Sequence, residues 1–178
     1  MIKYAALLRG IGPGNPNMHN DKLRGVFEML GFKNVQTVIS SGNVLFESGS
    51  KNIKALETKI EKAFPEQLGF NSTTIIRSYD DIQSLIKKDP FKGINDNAKS
   101  RLNVTFLKSI PPAGKKLHYN SPKGDYKIID IYKGAIFSVV DLSGSKTPDL
   151  MIWLEKQFGK EITTRTWKTV NRILKKME

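Results

Sequence analysis

The sequence predicts an α+β protein of two ferredoxin-like subdomains, each a split β-α-β unit in the order β-α-β-β-α-β, with one helix appended at the C-terminal end. Three observations predict it. Short apolar stretches alternate with longer ones whose apolar residues recur at i, i+3, i+4 and i+7. The order strand, helix, strand, strand, helix, strand is spelled twice, the second time after the breaker Asp89-Pro90. Strand-like stretches such as 2–8 are apolar at both parities, as expected of a sheet covered on both faces. The expected division is 1–78, a helix and connecting loop over 79–100, and 101–178. No sequence repeat is recognised between the halves, so the duplication is read as one of pattern.

In the first half, Ile2, Tyr4, Ala6 and Leu8 on one parity and Ala5 and Leu7 on the other make residues 2–8 a central strand. Asn20 or Asp21 is expected to cap a helix carrying Leu23, Val26, Phe27 and Leu30 on one face, closed by Gly31. Strands over 35–39 and 44–47 flank Ser40-Ser41-Gly42-Asn43, which has turn chemistry. A helix over 52–64 has Ile53, Leu56, Ile60, Ala63 and Phe64 inward, with Pro65 and Gly69 in its end region. Residues 72–77 are a fourth strand.

In the second half, a short helix over 80–88 is followed by a polar loop over 92–100. Leu102, Val104 and Phe106 alternate in a strand over 101–107. Pro111-Pro112 is expected to open a short helix reaching His118, broken by Asn120-Ser121-Pro122. Strands over 126–132 and 135–140 form a hairpin across Lys133-Gly134. Thr147-Pro148-Asp149 is a helix start of cap, proline and acid, leading to Leu150, Trp153, Leu154 and Phe158 on a buried face. An extended piece over 161–164 and a helix from Thr166 finish the chain.

Composition narrows the function classes. The chain of 178 residues is 39% hydrophobic, enough for a real core, and has no cysteine, which excludes disulfides and thiolate chemistry. No apolar run approaches the roughly 20 residues of a membrane span, and no secretory signal is read at the N-terminus. A cytoplasmic location without a membrane partner is therefore expected. The formal charge of +12 is unusual, and most of the excess falls after Asp89. A basic excess of this kind attracts nucleic acid, anionic lipid or phosphorylated ligands, and scattered lysines also serve plain solubility.

The most suggestive local feature is a strand running into Arg9 and then into a loop with Gly10, Gly12, Gly14 and Asn17 before a helix begins. In a split β-α-β sheet the first and third strands are antiparallel neighbours, which places this loop beside Ser41, Gly42 and Asn43. A guanidinium, side-chain amides, hydroxyls and a helix N-terminus then meet at one edge. That set is rich in donors and has no evident base, so it suits a phosphate or carboxylate better than proton abstraction. The loop is not a Walker A, lacking Gly-Lys-Ser/Thr, and its glycines are spaced two apart, unlike a dinucleotide fingerprint. No cofactor or metal is expected, since His19 and His118 fall in separate halves. Asp125, Asp130 and Asp141, around the second hairpin, can be imagined as paired carboxylates, although solvent-facing positions suit them better. An RNA-recognition surface would need stacking aromatics on strands one and three, where only Tyr4 and Phe46 are found.

Several segments resemble a known family. Ala6-Leu7-Leu8-Arg9-Gly10-Ile11, Leu30-Gly31-Phe32-Lys33-Asn34-Val35-Gln36-Thr37, Ser41-Gly42-Asn43-Val44-Leu45-Phe46 and Thr163-Thr164-Arg165-Thr166-Trp167-Lys168-Thr169-Val170 are similar to signatures of domain-of-unknown-function family sixteen-ninety-seven. The resemblance implies a bacterial-type cytosolic protein of two α+β subdomains and brings no established activity. The chain departs from the family's loop at Gly12, Pro13 and Asn15, is one residue shorter before Leu23, and has Thr166 where the family has asparagine. Carried over residue by residue, Arg9, Gly10, Asn17, Ser41, Gly42, Asn43, Arg165 and Thr169 are the expected ligand-binding positions. The alternative is nucleic-acid binding by the last helix, whose Lys168, Arg172, Lys175 and Lys176 lie largely off the apolar stripe of Trp167, Val170, Ile173, Leu174 and Met177. An enzyme acting on a phosphorylated substrate is a third reading.

Overall fold

A computed structural model describes residues 1–112, 114, 116–144 and 149–178. Its described residues form nine strands in two antiparallel sheets, and five α-helices. They divide into two compact units, Met1–Ile82 with Asn171–Glu178, and Gln83–Val170. Among the described residues no helix is long and apolar enough to cross a membrane.

The first unit contains β1 (Ile2–Leu8), α1 (Asn20–Met29), β2 (Lys33–Thr37), β3 (Asn43–Ser48), α2 (Ile53–Leu68) and β4 (Thr74–Ser78), with strand order β2-β3-β1-β4. Tyr4, Ala6 and Leu8 on β1 pack with Val44 and Phe46 on β3 against Phe27 of α1 and Ile60 and Phe64 of α2. Phe27 meets Phe46 edge-on at 5.4 Å between ring centroids, and Phe32 lies 4.5 Å from Phe46. Burying each such ring contributes about 1.5–3 kcal/mol, so the ends of β1 and β3 are firmly placed. The opposite parity, Ala5, Leu7, Asn43 and Leu45, is buried as well.

Three boundaries differ from the sequence reading. The α1 N-cap is His19, one residue earlier than expected, and it makes no side-chain capping bond. A single 3-10 turn, Pro16–Met18, precedes it. The second helix continues through Pro65 to a left-handed cap at Gly69, whose N–H reaches the Phe64 and Pro65 carbonyls. Ile39, expected within a strand, sits at φ +57° in the turn that follows β2.

The second unit contains β5 (Ser100–Leu107), β6 (Tyr119–Asn120), β7 (Tyr126–Tyr132), β8 (Ala135–Asp141), α4 (Leu150–Phe158) and β9 (Ile162–Thr166), with strand order β6-β7-β8-β5-β9. No helix occupies the described positions between Pro111 and His118. Pro112 disfavours the helical region for Pro111, and Gly114 at φ +85° cannot continue a right-handed helix. Tyr119–Asn120 instead pair with β7. Ala113 and Lys115 from that expectation, and Thr147 and Pro148 from the expected α4 start, lie outside the described residues. The described start is Asp149 at the N-cap. The expected hairpin across Lys133-Gly134 forms, with both residues at positive φ. The remaining helices, α3 (Tyr79–Lys88) and α5 (Trp167–Met177), each follow a strand directly, and the division between units falls after Ile82 in α3 and after Val170 in α5.

Candidate functional site

Antiparallel pairing puts Leu7 opposite Asn43, so the chain leaves β1 at the point where it enters β3. The Leu8 N–H donates to the Gly42 carbonyl at 2.8 Å. Gly42 has φ +75°, and a Cβ there would stand 2.7 Å from Ile11 Cγ1 and 3.1 Å from Leu8 Cβ. Only glycine lets the turn press this closely on the loop. The start of α1 joins them: the Asn20 amide donates to the Ile39 carbonyl at 3.2 Å, and the His19 ring lies 3.4 Å from the Pro13 carbonyl. The glycine loop, the Ser41-Gly42-Asn43 turn and the α1 N-terminus therefore form one edge.

Within that edge the sequence-selected residues have distinct positions. Arg9 is half-buried; its backbone N–H donates to the Thr73 carbonyl at 2.9 Å, and its own carbonyl accepts from the Ser72 hydroxyl at 2.8 Å. Gly10 is exposed at φ +75°. Asn43 is 1% exposed, and its amide donates to the Val38 carbonyl and the Ser41 hydroxyl, both at 2.9 Å. It fastens the turn from inside. Asn17 is exposed and donates to the Leu68 carbonyl at 3.1 Å, satisfying a terminal acceptor of α2. The start of α1 has no side-chain cap, and the acid in its first turn is Asp21, a placement that suits the positive end of a helix.

Arg165 and Thr169 belong to the second unit. The Arg165 guanidinium donates from Nη1 to the Thr163 hydroxyl at 2.8 Å and the Thr164 carbonyl at 2.9 Å, and burial pulls its pKa down to about 10. The Thr169 N–H donates to the Thr166 hydroxyl at 3.2 Å, which caps α5. On α5, Lys168, Arg172, Lys175 and Lys176 are exposed while Val170, Ile173 and Met177 are buried. Lys168 pairs with Asp96 at 3.5 Å.

The three aspartates around the second hairpin have separate partners. Asp125 accepts from the Ser121 hydroxyl, Asp130 pairs with Lys88 at 3.0 Å, and Asp141 accepts from Ser143, whose hydroxyl and N–H hold its carboxyl below the usual range. Among the described residues no group of three or more His, Cys, Asp or Glu is placed to hold a metal ion.

Arg77 escaped the sequence reading. It is 5% exposed on β4, donates to the Ile76 carbonyl at 2.9 Å, and has its pKa lowered by burial, against the opposing influence of Asp81 and Glu57. A signal for it existed. Thr74–Lys88 and Ile162–Lys176 align without a gap, matching Arg77 with Arg165, Ser78 with Thr166, Tyr79 with Trp167, Ile82 with Val170 and Lys87-Lys88 with Lys175-Lys176. Both arginines bond the carbonyl of the preceding residue, and both following hydroxyls cap a helix. The two strand-to-helix junctions thus share a local pattern of arginine, capping hydroxyl and aromatic residue.

A family model described as a protein of unknown function (DUF1697) matches residues 1–137. The chain belongs to this family. The DUF1697 match includes Arg9, the glycine loop and the Ser41-Gly42-Asn43 turn, and ends before the segment holding Arg165 and Thr169. Among solved structures, the DUF1697 chain is similar to the conserved bacterial protein SP0830 from Streptococcus pneumoniae, at 25% identity and TM-score 0.74, over 99% of this chain and 98% of that one. No curated protein matches it.

Proposed function

We propose that this chain is a cytosolic protein that binds a phosphorylated or otherwise anionic small ligand at the edge formed by Arg9, the Gly10–Asn17 loop and the Ser41-Gly42-Asn43 turn. The observation that carries the reading is the closure of loop, turn and α1 start onto one another through the Leu8–Gly42 and Asn20–Ile39 hydrogen bonds. Arg9, the Gly10 N–H and the Ser41 hydroxyl are the proposed ligand contacts, while Asn43 and Asn17 hold the edge in shape. Strain supports the assignment. A β-branched residue at positive φ is an outlier, and Ile39 at φ +57° is tied to the α1 start by its carbonyl. The β2-β3-β1-β4 order, with α1 and α2 on one face, also supports reading residues 1–78 as a ferredoxin-like subdomain.

Thermal denaturation in the presence of inorganic phosphate, nucleotides and phosphorylated sugars tests the proposal. A ligand at a hundred times its Kd stabilises by about 2.7 kcal/mol, which raises Tm by several degrees. The expected result is such a shift in wild type that is lost in Arg9→Ala and reduced in Ser41→Ala. Failure of every anion to stabilise wild type, or an equal response in Arg9→Ala, overturns it. The competing reading, nucleic-acid binding along α5, draws on the exposed row of Arg172, Lys175 and Lys176.

A further inference from the structure

The second unit holds a cavity of about 670 Å³, within the size range of small-molecule sites, whose lining shares no residue with the Arg9 edge. Its lining is of two kinds. Ile110, Pro111 and Pro112 form an apolar wall, with Ile110 59% exposed. Opposed in character are three lysines, Lys88, Lys116 and Lys133, against a single carboxylate, Asp130.

Tyr132 organises the charges. Lys88 Nζ lies 4.9 Å from the centre of its ring and Lys133 Nζ lies 5.5 Å from it. An aromatic face attracts each ammonium, while two like charges around one ring repel each other. Asp130 pairs with Lys88 at 3.0 Å, and Lys133 donates to the Ser84 hydroxyl at 3.3 Å, a neutral partner. The cavity thus has positive charge in excess of what its own side chains neutralise. Lys133 is also an unfavourable residue for its place. It stands at φ +47° in a two-residue hairpin turn before Gly134 at φ +71°, where asparagine, aspartate or glycine fits with less strain.

We infer that this cavity binds a small organic phosphate monoester carrying a flat apolar group. The phosphate takes hydrogen bonds from the Lys133 and Lys88 ammoniums, and the apolar group lies along Pro111, Pro112 and Ile110. Two excess positive charges suit a dianion better than a monocarboxylate, and the apolar wall separates this ligand class from inorganic phosphate.

Titration calorimetry of the full chain with phenyl phosphate, inorganic phosphate and phenol tests it, with the Lys133 and Gly134 amide signals in a nitrogen-15 correlation spectrum reporting the site. Phenyl phosphate is expected to bind, to shift both amides, and to bind more tightly than either fragment. Lys133→Asn suits the turn, so it should raise Tm while weakening phenyl phosphate on the order of tenfold, the size of one lost charge-assisted hydrogen bond. Lys88→Met should weaken it similarly. The inference is overturned if phenyl phosphate does not bind, if inorganic phosphate binds equally well, or if neither lysine variant changes the affinity. Binding abolished by Arg9→Ala but untouched by Lys133→Asn would place the ligand at the first-unit edge, overturning this inference while leaving the proposed function standing.

Discussion

Gly42 shows how a single missing Cβ shapes the candidate edge. Its backbone conformation is left-handed, and the space where a Cβ would stand is filled by Ile11 and Leu8. Alanine there meets both penalties together: strain at positive φ of about 1 kcal/mol or more, and an overlap with Ile11 that overpacks a buried corner at about 1–3 kcal/mol. Gly42→Ala should therefore lower the unfolding free energy by about 2–4 kcal/mol, read from the urea midpoint at unchanged slope. Gly10 also has positive φ but nothing within 4 Å of its would-be Cβ, so Gly10→Ala should lose only the strain part, about 1 kcal/mol. The contrast between the two variants measures contact between loop and turn separately from backbone conformation.

At the level of elements, the strand-to-helix junctions carry the comparable argument. Ser78 and Asp81 form a reciprocal capping box: the Asp81 N–H donates to the Ser78 hydroxyl at 3.1 Å, and the Ser78 N–H donates to the Asp81 carboxylate at 3.0 Å. At the matching junction, Thr166 accepts from the Thr169 N–H, but a threonine at the third position brings no carboxylate. Ser78→Ala also removes the 2.7 Å bond from its hydroxyl to Asp81. It should cost about 1.5–2 kcal/mol and Thr166→Ala about 1 kcal/mol by chemical denaturation. Elements of this kind were partly legible in the sequence. The apolar spacing of Leu23, Val26 and Phe27 and the two-sided apolar run of β1 stated their structures directly. Pro65 misled because a proline removes only one N–H, and the packing of Phe64 together with the cap at Gly69 carries α2 past it. Pro111-Pro112 misled in the opposite direction, resembling a helix start while Gly114 and the pairing of Tyr119–Asn120 direct the chain into a sheet. The juxtaposition of Arg9 and Asn43 followed from strand order alone. What could not follow was that Asn43 points its amide into its own turn, since spacing gives neighbours but not rotamers. The likeness of the Arg77 and Arg165 junctions was hard to read from sequence because it is short and rests largely on exchanges such as serine for threonine and tyrosine for tryptophan.

For the whole molecule, the formal charge of +12 decides what a binding measurement means. Any polyanion is drawn to such a chain at low salt, whether or not a site exists. On α5, Lys168 is already paired with Asp96, which leaves Arg172, Lys175 and Lys176 as the exposed cations of that helix best able to meet phosphates. Three phosphate contacts on duplex DNA give a slope of about −2.7 in log affinity against log salt, and so about a fortyfold loss between 50 and 200 mM. Fluorescence anisotropy with a labelled duplex should show that slope, equal for unrelated sequences, and alanine at all three positions should flatten it. A site built from fixed donors at the Arg9 edge behaves differently, because close hydrogen-bonded contacts are screened far less than a diffuse field. Stabilisation by a phosphorylated small ligand should persist at 200 mM salt and survive the triple alanine variant. If ligand and duplex instead lose affinity along the same salt curve, charge alone accounts for both, and Arg9 has no special place in it.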